Sequence, residues 1–410
     1  MGMSRVAARR LPALGYPAFR TYWAGVLVAE GATYMSQLAA AWLVYELTAP
    51  PLNVAFMLGV LGFCRTIPML AFVLIGGVAA DRLGRRRVLL LTNSASATFA
   101  GLFALLALFG LVNVWVVLAV ALCMGSAMAF NRPAHQAFIR DLVPVAVLQN
   151  AVALMALMQN VLRIGAPLAA GALLAAGNGT LPLALIATGY GVMAVLVSTI
   201  RVAPRSATAG VSIRSSLGEV FRYIRSERFV LALLLVETIP GLFALPFGTL
   251  LPIFADSIHG RGAGGLGVMQ SAVGAGALTG AVLLTLLSGV QRRGVLLIGA
   301  IATFGAALIV FALATTWPLA LAMLALAGMA DALYIFTING LLLAKAPEQL
   351  RGRVMSVFTL ADIGMTPLGS LFVGGLAGII GAQAALATSG SVVVASVLAV
   401  ATRFPRLRRV

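Results

Sequence analysis

Eleven carboxylates occur in the 410 residues, and four of them, Glu30, Glu237, Asp331 and Asp362, fall well inside long apolar runs. A charged side chain at the centre of a hydrocarbon layer costs about 2.5–3.5 kcal/mol on insertion scales, so each needs a counter-charge, a water-filled cavity or a proton. Two chemistries follow. Such a carboxyl group can take up a proton from one side of a membrane and release it to the other, or it can be locked in an arginine–carboxylate pair that fixes helix packing. Glu30 is the first candidate for proton coupling and Asp331 the second, with Glu237 and Asp362 completing the set. Arg65 and Arg163, both inside apolar runs, are the available counter-charges. Glu30 lies about ten residues into its run, so about 15 Å of helix separates it from the nearer end.

The elements that must position these groups are membrane helices. With 61% hydrophobic and 10% charged residues, the chain departs far from soluble domains, in which about 25% of residues are charged. Runs of roughly 20 apolar residues, each long enough to cross a bilayer, lie near 20–46, 53–80, 88–110, 114–138, 147–176, 181–200, 229–256, 265–289, 294–315, 317–344, 354–380 and 382–402. The net charge of +17 is topological: of the 28 Lys and Arg, all but Arg65, Arg163 and Arg261 sit at the termini or in alternate loops. The positive-inside rule then places both termini in the cytoplasm. No basic stripe with interleaved aromatics marks a nucleic-acid surface. Cys64 and Cys123 sit in apolar runs, with neither disulfide nor metal spacing. The first run is too long for a signal-peptide core and is expected to remain as the first span.

The longest connection, 201–228, divides the chain into an N-terminal six-helix bundle over 1–200 and a C-terminal one over 229–410. Within it, Ser216-Leu-Gly-Glu219 has the form of a capping box. Leu217, Val220, Phe221 and Ile224 share one helical face, as expected of a linker helix lying on the membrane. A weak repeat links the halves: Arg163-Ile-Gly-Ala-Pro167-Leu parallels Asp362-Ile-Gly-Met-Thr-Pro367-Leu, and Glu30 parallels Glu237. Repeated halves with a midplane site are how secondary transporters are built.

Between the second and third runs stands Gly76-Gly-Val-Ala-Ala-Asp-Arg-Leu-Gly-Arg-Arg-Arg87. Its pattern from Gly77 to Arg86, Gly-x-x-x-Asp-Arg-x-Gly-Arg-Arg, resembles the loop between helices 2 and 3 of the major facilitator superfamily of secondary transporters. The segments Asn131–Pro144 and Glu348–Ser356 look like those of its drug- and siderophore-exporter branch, and the resemblance covers essentially the whole chain. It implies an all-α fold of 12 transmembrane helices in two pseudo-symmetric bundles, in the inner membrane of a bacterial cell. It also implies proton-coupled export of small amphipathic compounds such as drugs or siderophores by a monomer without cofactor. A facilitator or importer of a metabolite or lipid is the alternative, and a non-transporting sensor or enzyme has less support. By the same resemblance Gly77, Asp81, Arg82, Gly84, Arg85 and Arg86 form a conformational latch. Asp81 would close the cytoplasmic side with Arg82, Arg85, Arg132 or Arg140, while Gly77 lets helices approach closely. Related exporters carry an arginine in helix 4 four residues before a glycine; Ala121 stands there before Gly125, leaving Arg163 or Arg65 as the substitute.

Other signals resolve toward structure. Gly262-Ala-Gly-Gly-Leu-Gly267 is not preceded by a strand and reads as a loop and helix start. Asn178-Gly-Thr180 is a glycosylation-type triplet without meaning in a bacterium. His135 is expected to cap the loop after helix 4, and Gly274, Gly276 and Gly280 to be close-packing positions. The single lysine, Lys345, has alanines on both sides, which excludes a phosphate-binding Gly-x-x-x-x-Gly-Lys-[Ser/Thr] loop. Tyr34, Met35, Met155, Met158 and Phe243 are candidates for an adaptable substrate cavity, or core fillers.

Overall fold

The structure is a computed structural model describing residues 11–177, 179–201, 227–287, 292–345, 347 and 350–403. The capping box and its amphipathic face, and Asn178, lie outside them. After a short 3₁₀ turn, Pro12–Gly15, come α1 (Pro17–Leu47), α2 (Val54–Leu83), α3 (Arg85–Leu108), α4 (Val114–Leu142), α5 (Val145–Ala175) and α6 (Thr180–Thr199). The span α7 is interrupted, as Arg228–Ile239, Pro240–Ala244, Phe247–Ile253 and Phe254–Ile258. It is followed by α8 (Gly262–Leu286), α9 (Arg293–Leu313), α10 (Trp317–Lys345), α11 (Arg351–Ile380) and α12 (Ala382–Arg403). Eleven of these spans are apolar and long enough to cross a membrane. The first helix, α1, has the length without the hydropathy, because Glu30 interrupts it among Gly, Thr, Tyr, Ser and Gln residues.

The helix ends follow from local chemistry. Asn113 caps α4, its side chain accepting a hydrogen bond from the Val116 N–H at 3.1 Å. Gly84, between α2 and α3, has φ +86° and ψ 133°, a conformation that costs a side-chain-bearing residue about 1–3 kcal/mol. The run read as one helix over 229–256 contains two π turns, Pro240–Ala244 and Phe254–Ile258. The cause is proline chemistry: Pro240, Pro246 and Pro252 have no N–H to give to the preceding turn. The Leu245 N–H bonds instead to the Pro240 carbonyl at 2.8 Å, five residues back.

Two compact units form, one from Met1–Leu43 and Cys64–Thr208, the other from Val44–Phe63 and Ala209–Val410. In the first, α1 meets α6 at Gly25 and Gly189, and α2 meets α4 at Gly76 and Gly125. Tyr22 and Phe138 are fully buried there, edge to face at 5.1 Å. In the second, α8 packs on α10, and α9 on α10 and α12, around Phe254 and Phe311 with ring centroids 4.7 Å apart. Residues 44–63 join this unit through specific contacts. Tyr45 donates to Asp256 Oδ2 at 2.8 Å, Asn53 Nδ2 donates to the Gly378 carbonyl at 3.2 Å, and the Gly59 and Gly374 main chains touch.

Candidate transport site

Glu30 occupies α1 thirteen residues past Pro17, about 20 Å along the helix from its start. Gln159 of α5 donates to its Oε1 at 3.3 Å. Beside it the first unit holds a partly open cavity of mixed polar and apolar lining between α1, α3, α4 and α6. Glu30, Asn93, Ser96, Asn131, Arg132 and His135 face it, and a water-sized sphere explores about 50 Å³ of it. One water needs about 10–15 Å³ by that measure, so the cavity takes about three to five waters and no drug-sized molecule.

Several polar groups in and around the walls pair with one another. Tyr22 and His135 Nδ1 are 2.6 Å apart, Thr33 and Tyr190 share a hydrogen bond of 2.9 Å, and Asn131 donates to Thr92 at 2.8 Å. His135 therefore lies inside α4 against α1 instead of capping the loop that follows, because α4 continues to Leu142. Apolar lining comes from Met124, Met128 and Met193. Of the methionines proposed from sequence, Met155 and Met158 are buried, at 3% and 4% exposure, while Met35 and Tyr34 on α1 are half-buried.

Arg65 and Arg163 are both half-buried in this unit, on α2 and α5. Gly125 of α4 packs so tightly on the Arg65 carbonyl that any Cβ there would collide with it. The glycine that in related exporters follows an arginine of helix 4 here seats an arginine of α2. The remaining acids belong to the second unit: Glu237 is fully buried just before the first π turn, Asp331 is half-buried on α10, and Asp362 lies on α11, its side chain outside the described part. Phe243, also in this unit, meets Phe372 edge-on at 5.5 Å.

The arginine-rich turn is built around helix ends. Arg85 pairs with both oxygens of Asp141 on α4, at 2.8 and 2.9 Å, and donates to the Ala137 carbonyl at 3.2 Å. Asp81 and Arg82 are exposed at the end of α2, so the acid paired with Arg85 is Asp141, which sequence reasoning did not single out. Arg86 donates to the Val197 and Ser198 carbonyls, where a cation is favoured by the free carbonyls ending α6. Close approach at this end of α2 occurs at Gly76, where a Cβ would stand 2.6 Å from the Ala129 carbonyl oxygen; at Gly77 it would meet nothing within 4 Å. Replacing Asp141 by asparagine should lower the folded protein's stability by about 1 kcal/mol, because the pair is partly solvated. A melting curve of the purified variant in detergent checks this, and an unchanged midpoint would leave the pair without structural weight.

Twelve long helices, eleven of them apolar enough to cross a membrane, with ionisable groups at mid-depth, make a multi-pass membrane protein, and the comparisons say of which class. Residues 9–409 match the model of the family described as transmembrane secretion effector. The chain belongs to that family, within the major facilitator superfamily, and is a transporter rather than an enzyme. It is 28% identical to the multidrug efflux pump Tap of Mycolicibacterium fortuitum, over 93% of this chain and 94% of that protein. Against the enterobactin exporter EntS of Citrobacter koseri it is 27% identical, covering 78% and 77% of the two chains. A bacterial homologue of the human lysosomal transporter Spinster shares the fold at TM-score 0.71 and 16% identity, over 96% of this chain and 98% of that one. The fold is thus the twelve-helix, two-bundle major facilitator fold.

Proposed function

We propose that this chain is a monomeric, proton-coupled exporter of small amphipathic compounds in the inner membrane of a bacterium, with both termini in the cytoplasm and no nucleic-acid partner. The observation that carries this reading is Glu30, a carboxyl group deep in α1, the long helix that falls short of the hydropathy of the other eleven spans, and beside a cavity sized for water. The efflux pumps and the siderophore exporter among its relatives support the outward direction, as does arginine placement for orientation. The energy suffices: a membrane potential supplies about 2.3 kcal/mol per charge per 100 mV, and one proton per cycle then supports a gradient of about 40-fold.

Everted vesicles containing the protein and holding an acid-inside pH gradient test this reading. Addition of an exported compound is expected to dissipate the gradient in proportion to its concentration, and vesicles without the protein should not respond. A panel of drugs and siderophores that leaves the gradient intact, with folded protein present, would remove the antiport reading.

A further inference from the structure

We propose that the hairpin made of the end of α1, the turn after it and the start of α2 is a releasable clasp that closes the non-cytoplasmic side, held by Tyr45 on Asp256 and by a glycine seam between α2 and α11. The inference rests on the export reading above and on its topology, and it names contacts that the transport cycle must part.

The connectivity brings these parts together. Turns that follow odd-numbered spans lie on one face of the membrane, and residues 44–63 join the ends of α7 and α11 there. The Tyr45 hydroxyl donates to Asp256 Oδ2 at 2.8 Å and shares a second hydrogen bond of 2.8 Å with Ser257 Oγ. Both partners stand in the second π turn of α7, Phe254–Ile258, a local widening of the kind frequent at functional positions. Asn53 Nδ2 donates to the Gly378 carbonyl at 3.2 Å, near the end of α11. Deeper along the same pair, α2 and α11 touch main chain to main chain. A Cβ on Gly59 would stand 2.5 Å from the Ser370 carbonyl oxygen, one on Gly374 2.7 Å from the Gly59 Cα, and one on Gly62 2.7 Å from Ser370 Oγ. The seam is closed: Ser370 is 1% exposed.

The course of α1 and α2 shows why these contacts must break. Each helix runs without interruption through a place where its residues pass from one unit to the other, at Leu43–Val44 in α1 and at Phe63–Cys64 in α2. A transporter opens its interior to each side in turn by moving such bodies against one another, so either the helices bend at these places or the hairpin lets go. α2 has a weak point there, since Pro68 cannot give a hydrogen bond to the Cys64 carbonyl. α1 has none: neither Pro nor Gly occurs from Ala32 to Leu47, and sharp bends need such a cause. The strain therefore falls on Tyr45. Its bonds suit release, because a hydroxyl at the solvent edge exchanges its partners for water at modest cost, and the glycines beneath have no side chains to withdraw.

Two experiments on the full chain, with Cys64 and Cys123 replaced by serine, test the clasp. In the first, Ser370→Cys reports opening of the seam to a membrane-impermeant maleimide applied to right-side-out vesicles. Labelling is expected to be slow, and Tyr45→Phe, which removes the hydroxyl and keeps the ring, should speed it about tenfold. Equal rates overturn the role of Tyr45. In the second, Asn53→Cys with Gly378→Cys is oxidised; a Cβ on Gly378 lies 3.1 Å from Asn53 Cγ, near enough for a disulfide to join the two positions. Flux in everted vesicles with the drug and siderophore panel should then fall to that of vesicles lacking the protein, and return with dithiothreitol. Failure of the disulfide to form, or undiminished flux once it has formed, overturns the clasp. If Tyr45→Phe does not fold, the disulfide result decides. The outcomes separate this from the export reading: undiminished flux through the cross-linked protein sinks the clasp and keeps export, whereas faster labelling in Tyr45→Phe with no flux from any compound sinks export and keeps the clasp.

Discussion

Glu30→Gln is expected to reduce compound-driven proton flux in everted vesicles to that of vesicles lacking the protein, while the variant stays folded and still exchanges substrate down its own gradient. The amide preserves the shape of the carboxylate and can still accept from Gln159 Nε2. What it loses is the ability to carry a proton, and no partial activity is expected from a group that does not titrate. Stability should not suffer, because a neutral side chain at this depth avoids an insertion cost of about 2.5–3.5 kcal/mol. The melting midpoint is therefore the control: unchanged or raised, with flux gone, it assigns coupling to Glu30, and Glu30→Asp should restore part of the flux. Full flux in Glu30→Gln would transfer the role to the second unit, where Asp331 is the next carboxylate to replace.

Apolar runs in the sequence were enough to place the helices, since a run of about 20 apolar residues has few other outcomes, although α1 falls short of the hydropathy of the other eleven spans. Orientation about each helix axis was much less legible. In water a helix shows its core face as an apolar stripe, but in lipid both the core face and the lipid face are apolar. Met155 and Met124 therefore look alike in sequence, although one is buried and the other lines the cavity beside Glu30. The same blindness explains why close approach was assigned to Gly77 when it occurs one residue earlier, at Gly76. Charged residues were easier, as their cost in lipid marks them wherever they stand; Glu30 and Arg65 were found for that reason. Asp141 was missed because its value lies in the geometry of its pairing with Arg85 across two helices, which spacing along the chain does not reveal. The π turns of α7 had a signal in Pro240, Pro246 and Pro252, but prolines in membrane helices predict a disturbance without saying which carbonyl accepts the displaced bond.

Glycines show the other side of this limit, and they carry the second large effect. The helices α8 and α10 touch backbone to backbone along one seam: a Cβ on Gly276 would collide with the Ala325 carbonyl, one on Gly280 with that of Met329, and one on Gly328 with that of Val273. In lipid no hydrophobic force draws two helices together, so dispersion at such close range does much of the holding. The opposing atoms are main chain and cannot rotate away as a long side chain would. Gly276→Val must therefore push α10 off α8, opening the contacts that Phe304 makes with Tyr334 at 6.1 Å. The expected cost exceeds about 3 kcal/mol, the upper range for overpacking a well-filled interior, and should appear as loss of the monodisperse peak in size-exclusion chromatography. Gly299, on α9, has nothing within 4 Å of a Cβ, so Gly299→Ala should be neutral or stabilise by about 0.5–1 kcal/mol through better helix propensity. Both changes leave charge and hydropathy almost untouched. If the two variants melt together, the seam contributes no more than any other apolar surface; if Gly276→Val alone fails, backbone contact between α8 and α10 holds this part of the second unit together.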